Sequence, residues 1–198
     1  MVDIVEGYMP EQDIQEIEKH VLNNSHFPWF WEGRTTSDSY PAMMHVMVGR
    51  YDEPPLTEFK INSPWFHLFE RIFLDFCRKN NIQVNQILRA AVNLTWYSED
   101  KYGDPHVDHP GEDGHKVCMM YLHDLDWGPT FIFNEKGMGW AIDKENDQMK
   151  NYQGEFTIAK EVSFERGKII IFPGEHCHAA GFVKKSNQKR IAAVITFK

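Results

Sequence analysis

HVDHPGEDGHKVCMMYLHD, residues 106–124, holds four of the chain's ten histidines and puts an aspartate two residues after the first, in His106-Val107-Asp108. At the start of a strand, residues two apart project from one face, so these two side chains can converge. The pair alone decides nothing. Ten His and thirteen Asp among 198 residues give about one His-x-Asp by chance. Its meaning lies in what surrounds it.

Downstream of residue 82 the sequence reads as short strands: ILRAAVNLTWYS, KVCMMYLHDL, TFIFN, GEFTIA, KIIIFP and RIAAVITFK. Turn signals punctuate them, at Gly103-Asp104-Pro105, Gly128-Pro129 and Pro173-Gly174. Upstream the period changes. Residues 10–24 predict a helix with Pro10 at its start and Ile14, Ile17 and Val21 as its apolar stripe. Residues 63–81 predict a second, with Ser63 as N-cap, Pro64 following, and Leu68, Phe69, Ile72, Phe73 and Phe76 on its buried face. Between them MMHVMVGRY alternates like a strand, with His45 read as structural or surface. Helices followed by antiparallel strands predict a chain dominated by a β-sandwich or barrel.

The length suits one domain, 1–198, with 1–81 as helical and irregular support and 82–198 as the β core. Fourteen Phe, seven Tyr and six Trp are ample for that core. A net charge of −8, acidic in both halves, argues against capture of nucleic acid. No apolar run approaches the roughly 20 residues of a membrane span. The first residues lack the basic start and apolar stretch of a signal peptide. Cys77, Cys118 and Cys177 are too few and scattered for a disulfide framework, so a reducing, cytoplasmic setting is expected. The oligomeric state is open.

About seventy residues after His106 comes KIIIFPGEHCHAAGF, with His176 and His178 just past an apolar strand and a turn. Arg190 enters the last strand twelve residues after His178. Two imidazoles and one carboxylate suit Fe(II), leaving open positions for a bidentate ligand and O₂. An arginine on a neighbouring strand can grip the far carboxylate of such a ligand through two parallel hydrogen bonds.

This ordered set resembles the Fe(II)- and 2-oxoglutarate-dependent oxygenase superfamily, in its prolyl hydroxylase-like branch. The resemblance covers roughly residues 90–198. It rests on His106-Val107-Asp108, His178, Arg190, Tyr97 nine residues before His106, Cys118-Met119-Met120-Tyr121-Leu122, and the strand that follows Gly128-Pro129. It implies a mainly β double-stranded β-helix, a distorted jelly roll, supported by N-terminal α-helices. It implies Fe(II) on His106, Asp108 and His178, and 2-oxoglutarate held by Arg190, Tyr121 and Tyr97. O₂ is then a cosubstrate, ascorbate a supporting reductant, and succinate and CO₂ are coproducts of a hydroxylation. His176 has the parity of His178 and is the alternative ligand; the run after His178 and the spacing to Arg190 favour His178. Two departures stand out. The interval to Arg190 is long, and Ala192 replaces a hydroxyl-bearing residue common in relatives, which shifts weight to Tyr121.

The substrate stays open between a peptidyl prolyl or other protein side chain and a small molecule or free amino acid. A cupin-like metal-binding barrel without 2-oxoglutarate is the rival, and it has no need of Arg190. His109 and His115 are expected in a solvent-exposed loop, and His123 as structural. Lys184, Lys185 and Lys189 are expected as a solvated basic patch. The segment 135–153 is read as a surface insertion or a lid, flanking the site with the loop 109–116.

Overall fold

The computed structural model describes residues 2–32, 40–49, 61–109, 112–137, 142–143, 148–149 and 155–198. In chain order the elements are β1 (Val5–Tyr8), α1 (Glu11–Ile17, continued by a π turn, Glu18–Leu22), β2 (Phe30–Glu32), β3 (Ala42–Val48) and α2 (Phe66–Lys79). Then follow β4 (Ile87–Trp96), β5 (Lys116–Tyr121), β6 (Thr130–Lys136), β7 (Ile142–Asp143) and β8 (Gln148–Met149). The last are β9 (Ile158–Val162), β10 (Lys168–Pro173), β11 (His176–Ala180) and β12 (Lys189–Phe197).

The strands form two antiparallel sheets, a wide one ordered β1-β10-β5-β12-β4-β3-β2 and a narrow one ordered β11-β6-β9, plus a β7-β8 hairpin. The wide sheet is apolar on both faces where it is covered. On its outer face Ala90, Val92, Met120, Ala193, Ile195 and Phe197 meet Phe69, Ile72, Phe73 and Phe76 of α2 and Ile17 of α1. The helices thus support the wide sheet, with the aromatic stripe of α2 supplying most of the cover, while residues 1–81 also contribute β1, β2 and β3 to the sheet itself. On its inner face Val117, Met119, Tyr121, Ile170, Phe172, Ala192 and Val194 meet Ile132, Val162 and Phe164 of the narrow layer. Two-sided burial is why KIIIFP and RIAAVITF read as nearly unbroken apolar runs.

Register aligns the inner face in rows. Phe172, Val117, Thr196 and Arg89 lie abreast across β10, β5, β12 and β4. Two residues along, Ile170, Met119, Val194, Ala91 and Val46 do so; a further step brings Tyr121, Ala192, Asn93, Met44 and Phe30 together. Arg190 faces Thr95 one step beyond. The narrow sheet has three strands against seven, so the inner face of β4, β3 and β2 extends past it.

Several elements differ from expectation. α2 begins at Phe66 with Trp65 as its cap residue. Ser63 Oγ still accepts the Trp65 N–H, at 3.3 Å, but it also meets His45 Nε2 at 2.7 Å, and that contact fixes it one turn ahead of the helix. His45 is buried, the structural one of its two expected placements. The strand expected over 154–159 instead spans Ile158–Val162, where it pairs with β6. β1 was not anticipated; four residues are too short for a periodic signal, and pairing with β10 creates it. Among the described residues, no helix is long and apolar enough to cross a membrane. Cys77, Cys118 and Cys177 are free and buried.

Candidate metal centre and adjoining cation pocket

His106, Asp108 and His178 come together from two segments. Residues 102–106 run beside β11, with bridges Tyr102 to Gly181 and His106 to His178. Paired N–H···O bonds of 3.0 and 2.9 Å join the backbones of His106 and His178. Their rings lie 4.7 Å apart. Val107 points the other way, into a cluster with Phe131, Phe133, Cys177 and Ala179, which fixes the alternation of His106 and Asp108. The donor atoms of His106, Asp108 and His178 lie within 4.8 Å of one another and form a group that could hold a metal ion.

Orientation of the rings follows from their far nitrogens. His106 Nδ1 lies 3.0 Å from the Asp104 carbonyl and His178 Nδ1 lies 3.3 Å from the His176 carbonyl. A carbonyl can only accept, so each Nδ1 donates and each neutral ring turns a lone pair on Nε2 inward. Those Nε2 atoms stand 3.9 and 3.5 Å from the Asp108 carboxylate oxygens. Lone pairs facing a buried carboxylate repel unless a cation lies between them, and backbone carbonyls behind ligand histidines are the usual supporting shell. Burial drives the Asp108 carboxyl upward. When protons on the two Nε2 atoms stand in a cation's place, the His178 hydrogen bond and the charges of His178, His106 and Arg89 outweigh that burial and hold Asp108 well below the ordinary carboxylate range.

His176 is not in this group. A register irregularity separates His176 and His178 in their pairing with β6, and His176 Nδ1 bonds the Phe133 carbonyl at 2.8 Å. Strand parity alone made the two equivalent; the irregularity breaks it. His115 also departs from expectation: it is buried, with Nδ1 on the Glu112 carbonyl at 2.6 Å. His109 is half-buried, its Nε2 2.6 Å from Thr196 Oγ1. His123 is structural as expected, its Nε2 accepting the Ile191 N–H. Of the loop 109–116, residues 110–111 lie outside the described residues; so does most of 135–153, apart from β6 and the β7-β8 hairpin.

Arg190 is 4% exposed. Its Nε donates to the Gly128 carbonyl and its Nη2 to Thr130 Oγ1, both at 2.9 Å. Gly128 adopts φ +143°, a conformation that suits glycine and aims that carbonyl inward. The guanidinium lies 5.0 Å from the Phe164 ring centroid and 5.7 Å from that of Tyr121. Among the described residues no carboxylate pairs with it. Burial lowers its pKa, partly offset by Tyr121, yet a guanidinium stays charged. Tyr121, fully buried, donates its hydroxyl to Thr130 Oγ1 at 2.6 Å. Its pKa is pushed up to about 12 by burial, opposed by the nearby Arg190 charge. Thr95 Oγ1 and Asn93 Oδ1, on the strand facing Arg190 and Ala192, are buried with no hydrogen-bond partner among the described residues.

Sequence reasoning missed Thr130, Thr95 and Asn93. Parity with Tyr97 could have flagged Thr95; nothing local flags Thr130. Tyr97 itself lies past the end of β4 and is 42% exposed. The basic patch is largely engaged: Lys184 sits 3.9 Å above the Trp127 ring and Lys185 pairs with Asp126 at 2.6 Å.

Two antiparallel sheets with packed apolar inner faces, and a His-Asp-His group on β11 and the segment beside it, make up a mainly β double-stranded β-helix, a jelly roll. Solved structures sharing this fold include Fe(II)- and 2-oxoglutarate-dependent oxygenases. The non-heme alpha-ketoglutarate-dependent epimerase SnoN of nogalamycin biosynthesis superposes with TM-score 0.64 and 12% identity, over 98% of this chain and 77% of that one. A Pseudomonas putida prolyl-4-hydroxylase gives 0.57 and 10%, over 100% and 94%. A Trichoplax adhaerens prolyl hydroxylase, in complex with a hypoxia inducible factor peptide fragment, gives 0.58 and 13%, over 99% and 82%. At these identities the likeness is one of fold. No protein-family model matches the sequence, and no curated protein matches it.

Proposed function

We propose that this chain is an Fe(II)- and 2-oxoglutarate-dependent dioxygenase that hydroxylates a peptide side chain or small molecule. His106, Asp108 and His178 hold the metal. Arg190, with Thr130 and Tyr121 behind it, takes the distal carboxylate of 2-oxoglutarate, and Tyr97 stands at the rim. The observation that carries the reading is a buried guanidinium, unpaired with any described carboxylate, beside a three-donor metal group. A buried cation without a counter-ion costs several kcal/mol (order of magnitude), so a resident anion is its natural complement. The dimensions agree. Ala180 pairs with Thr130, the Arg190 contact, and lies two residues from His178 along β11, which is about 7 Å, a span that a five-carbon diacid bridges. Thr95 Oγ1 and Asn93 Oδ1 offer further bonds on the same face.

Fe(II) with bound 2-oxoglutarate supplies the activation of O₂, with succinate and CO₂ as coproducts. The protein's part is placement. The backbone carbonyls of Asp104 and His176 lock the two imidazoles in the metal-binding tautomer. Phe172, 5.2 Å from the His178 ring, and Phe164, stacked on Tyr121, exclude water from the cosubstrate. SnoN has been solved with Fe3+ and alpha-ketoglutarate, and the peptide complex above has a prolyl hydroxylase fold; both support the reading. The free buried cysteines suit a reducing compartment such as the cytoplasm.

The test is anaerobic reconstitution with Fe(II) and 2-oxoglutarate. The wild-type chain is expected to bind one metal and to develop the visible charge-transfer absorption of an Fe(II)–2-oxo acid chelate. His106→Ala and Asp108→Ala are expected to lose both. Unchanged metal content in both variants would sink the assignment.

A further inference from the structure

We infer that His115 is a positioning residue for the metal group: its buried ring locks the loop that leaves Asp108 to the turn that enters β11, and so sets the spacing of Asp108 and His178. This rests on the metal group of the oxygenase reading above.

The segments that carry Asp108 and His178 are tied together outside the site itself. His106 and His178 are joined directly through their backbones. Asp108 lies beyond that bridge, and the chain leaving it folds back on itself. The Glu112 N–H donates to the His109 carbonyl at 3.1 Å, and His115 Nδ1 donates to the Glu112 carbonyl at 2.6 Å. The rings of His109 and His115 meet edge to face, 5.6 Å apart, and His109 Nε2 lies 2.6 Å from Thr196 Oγ1 on β12. His115 then reaches the other segment. Its carbonyl accepts the Gly174 N–H at 2.8 Å, in the turn between β10 and β11. Gly174 stands four residues before His178, and His115 seven after Asp108. On the far side of that turn the Glu175 carbonyl accepts the Gly137 N–H and His176 Nδ1 donates to the Phe133 carbonyl, both at 2.8 Å. β6 and its end thus hold one flank of the turn, and His115 holds the flank toward Asp108.

Space makes the tie specific. A Cβ on Gly174 would overlap Cδ2 and Nε2 of the His115 ring. The φ of Gly174 is not in the left-handed region, so the glycine serves the close approach of the ring and not its own backbone freedom. The ring cannot swing aside, because His115 is 3% exposed and pinned through Nδ1. A lone pair is left on Nε2, buried with no hydrogen-bond partner among the described residues. A buried acceptor without a donor weakens a fold, so stability alone does not account for an imidazole here. What the imidazole provides is a flat spacer between two backbones, each a few residues from a ligand. A metal needs its donors within about 0.2 Å of their proper distances, so a small displacement of either segment reaches the site.

Co(II), which follows Fe(II) in the affinity order for such donors, is titrated into the metal-free chain. Its dissociation constant and visible bands are read, alongside a thermal melt without metal. Gly174→Ala and His115→Ala are each expected to weaken binding about tenfold or more and to alter the bands, the range typical of residues that support metal ligands. The double variant is expected to match His115→Ala within about twofold, since no ring remains for the new methyl to strike. His115→Asn keeps a donor where Nδ1 stands and should bind near wild type. His115→Gln carries its amide nearer to Nε2, loses the Glu112 bond and should bind about tenfold weaker. A merely structural histidine would lower the melting temperature and leave the affinity and bands of the folded chain unchanged. That result, additive losses in the double variant, or equal affinity in the Asn and Gln chains overturns the inference. Should the alanine variants fail to fold, the Asn and Gln pair decides. A wild type that binds no Co(II) removes the metal reading and this inference with it, whereas variants that bind as well as a binding wild type remove the inference alone.

Discussion

Replacing Arg190 by Met separates its structural cost from its ligand-binding use. Methionine keeps the length and apolar stem and deletes the charge. The guanidinium is 4% exposed, and among the described residues it is bonded to the Gly128 carbonyl and Thr130 Oγ1. Its burial costs several kcal/mol, an order-of-magnitude figure. Losing it strands the Gly128 carbonyl, at about 1–3 kcal/mol, whereas Thr130 Oγ1 keeps the Tyr121 hydroxyl. The balance favours the variant by about 1–2 kcal/mol, or about 2–8 °C in Tm for a chain of this size. Cosubstrate binding moves the other way. Breaking a buried Arg–carboxylate pair costs about 3–5 kcal/mol, a loss in affinity on the order of a hundred- to a few-thousand-fold. Thermal melts with Mn(II), with and without 2-oxoglutarate at a hundred times the wild-type Kd, read both effects. Wild type should gain about 2.7 kcal/mol from the ligand and the variant nearly nothing. A variant that melts lower without ligand, yet still responds to 2-oxoglutarate, would refute the reasoning on both counts.

Two further outcomes follow from side-chain placement. His178→Ala should lose the metal, whereas His176→Ala should keep it and lose only some stability, since His176 serves the Phe133 carbonyl; metal analysis of the two chains checks this, and reversed results would move the ligand by two residues. His45 gives a pH dependence. Burial lowers its pKa, partly offset by the Pro28 carbonyl, so below about pH 6.5 the unfolded chain takes up the proton first and stability falls, while above that pH His45 contributes no slope. Urea unfolding at pH 7.5 and 5.5 should show a smaller loss in His45→Gln than in wild type; an equal loss would mean that His45 is not the sensor.

The site was more legible than the support around it. His106, Asp108, His178 and Arg190 have chemistry and spacing that survive in one dimension, and the structure brings the first three together. The apolar stripe of α2 announced its buried face for the same reason, a regular period. What stayed hidden depends on distant pairings. The irregularity between His176 and His178 exists only against β6. Thr130 matters because two side chains from other strands converge on it. β1 is a strand only because β10 lies beside it. Ser63 left its capping role for a buried histidine eighteen residues away.

The place of β12 in the wide sheet has a consequence for how the protein comes into being. β12 lies between β5 and β4, yet it is synthesised after every strand it joins. Until residues 189–197 arrive, β10-β5 and β4-β3-β2 are separate ribbons with open edges, and Thr130 has no Arg190 to meet. β1 meanwhile waits for a partner more than 150 residues downstream. Assembly is thus a late insertion that joins two halves at once, a high-contact-order route that is slow and leaves edges exposed to aggregation. The His-Asp-His group and the cation pocket mature together in that single closing event, so a chain arrested before it carries His106, Asp108 and His178 without the buried Arg190 beside them.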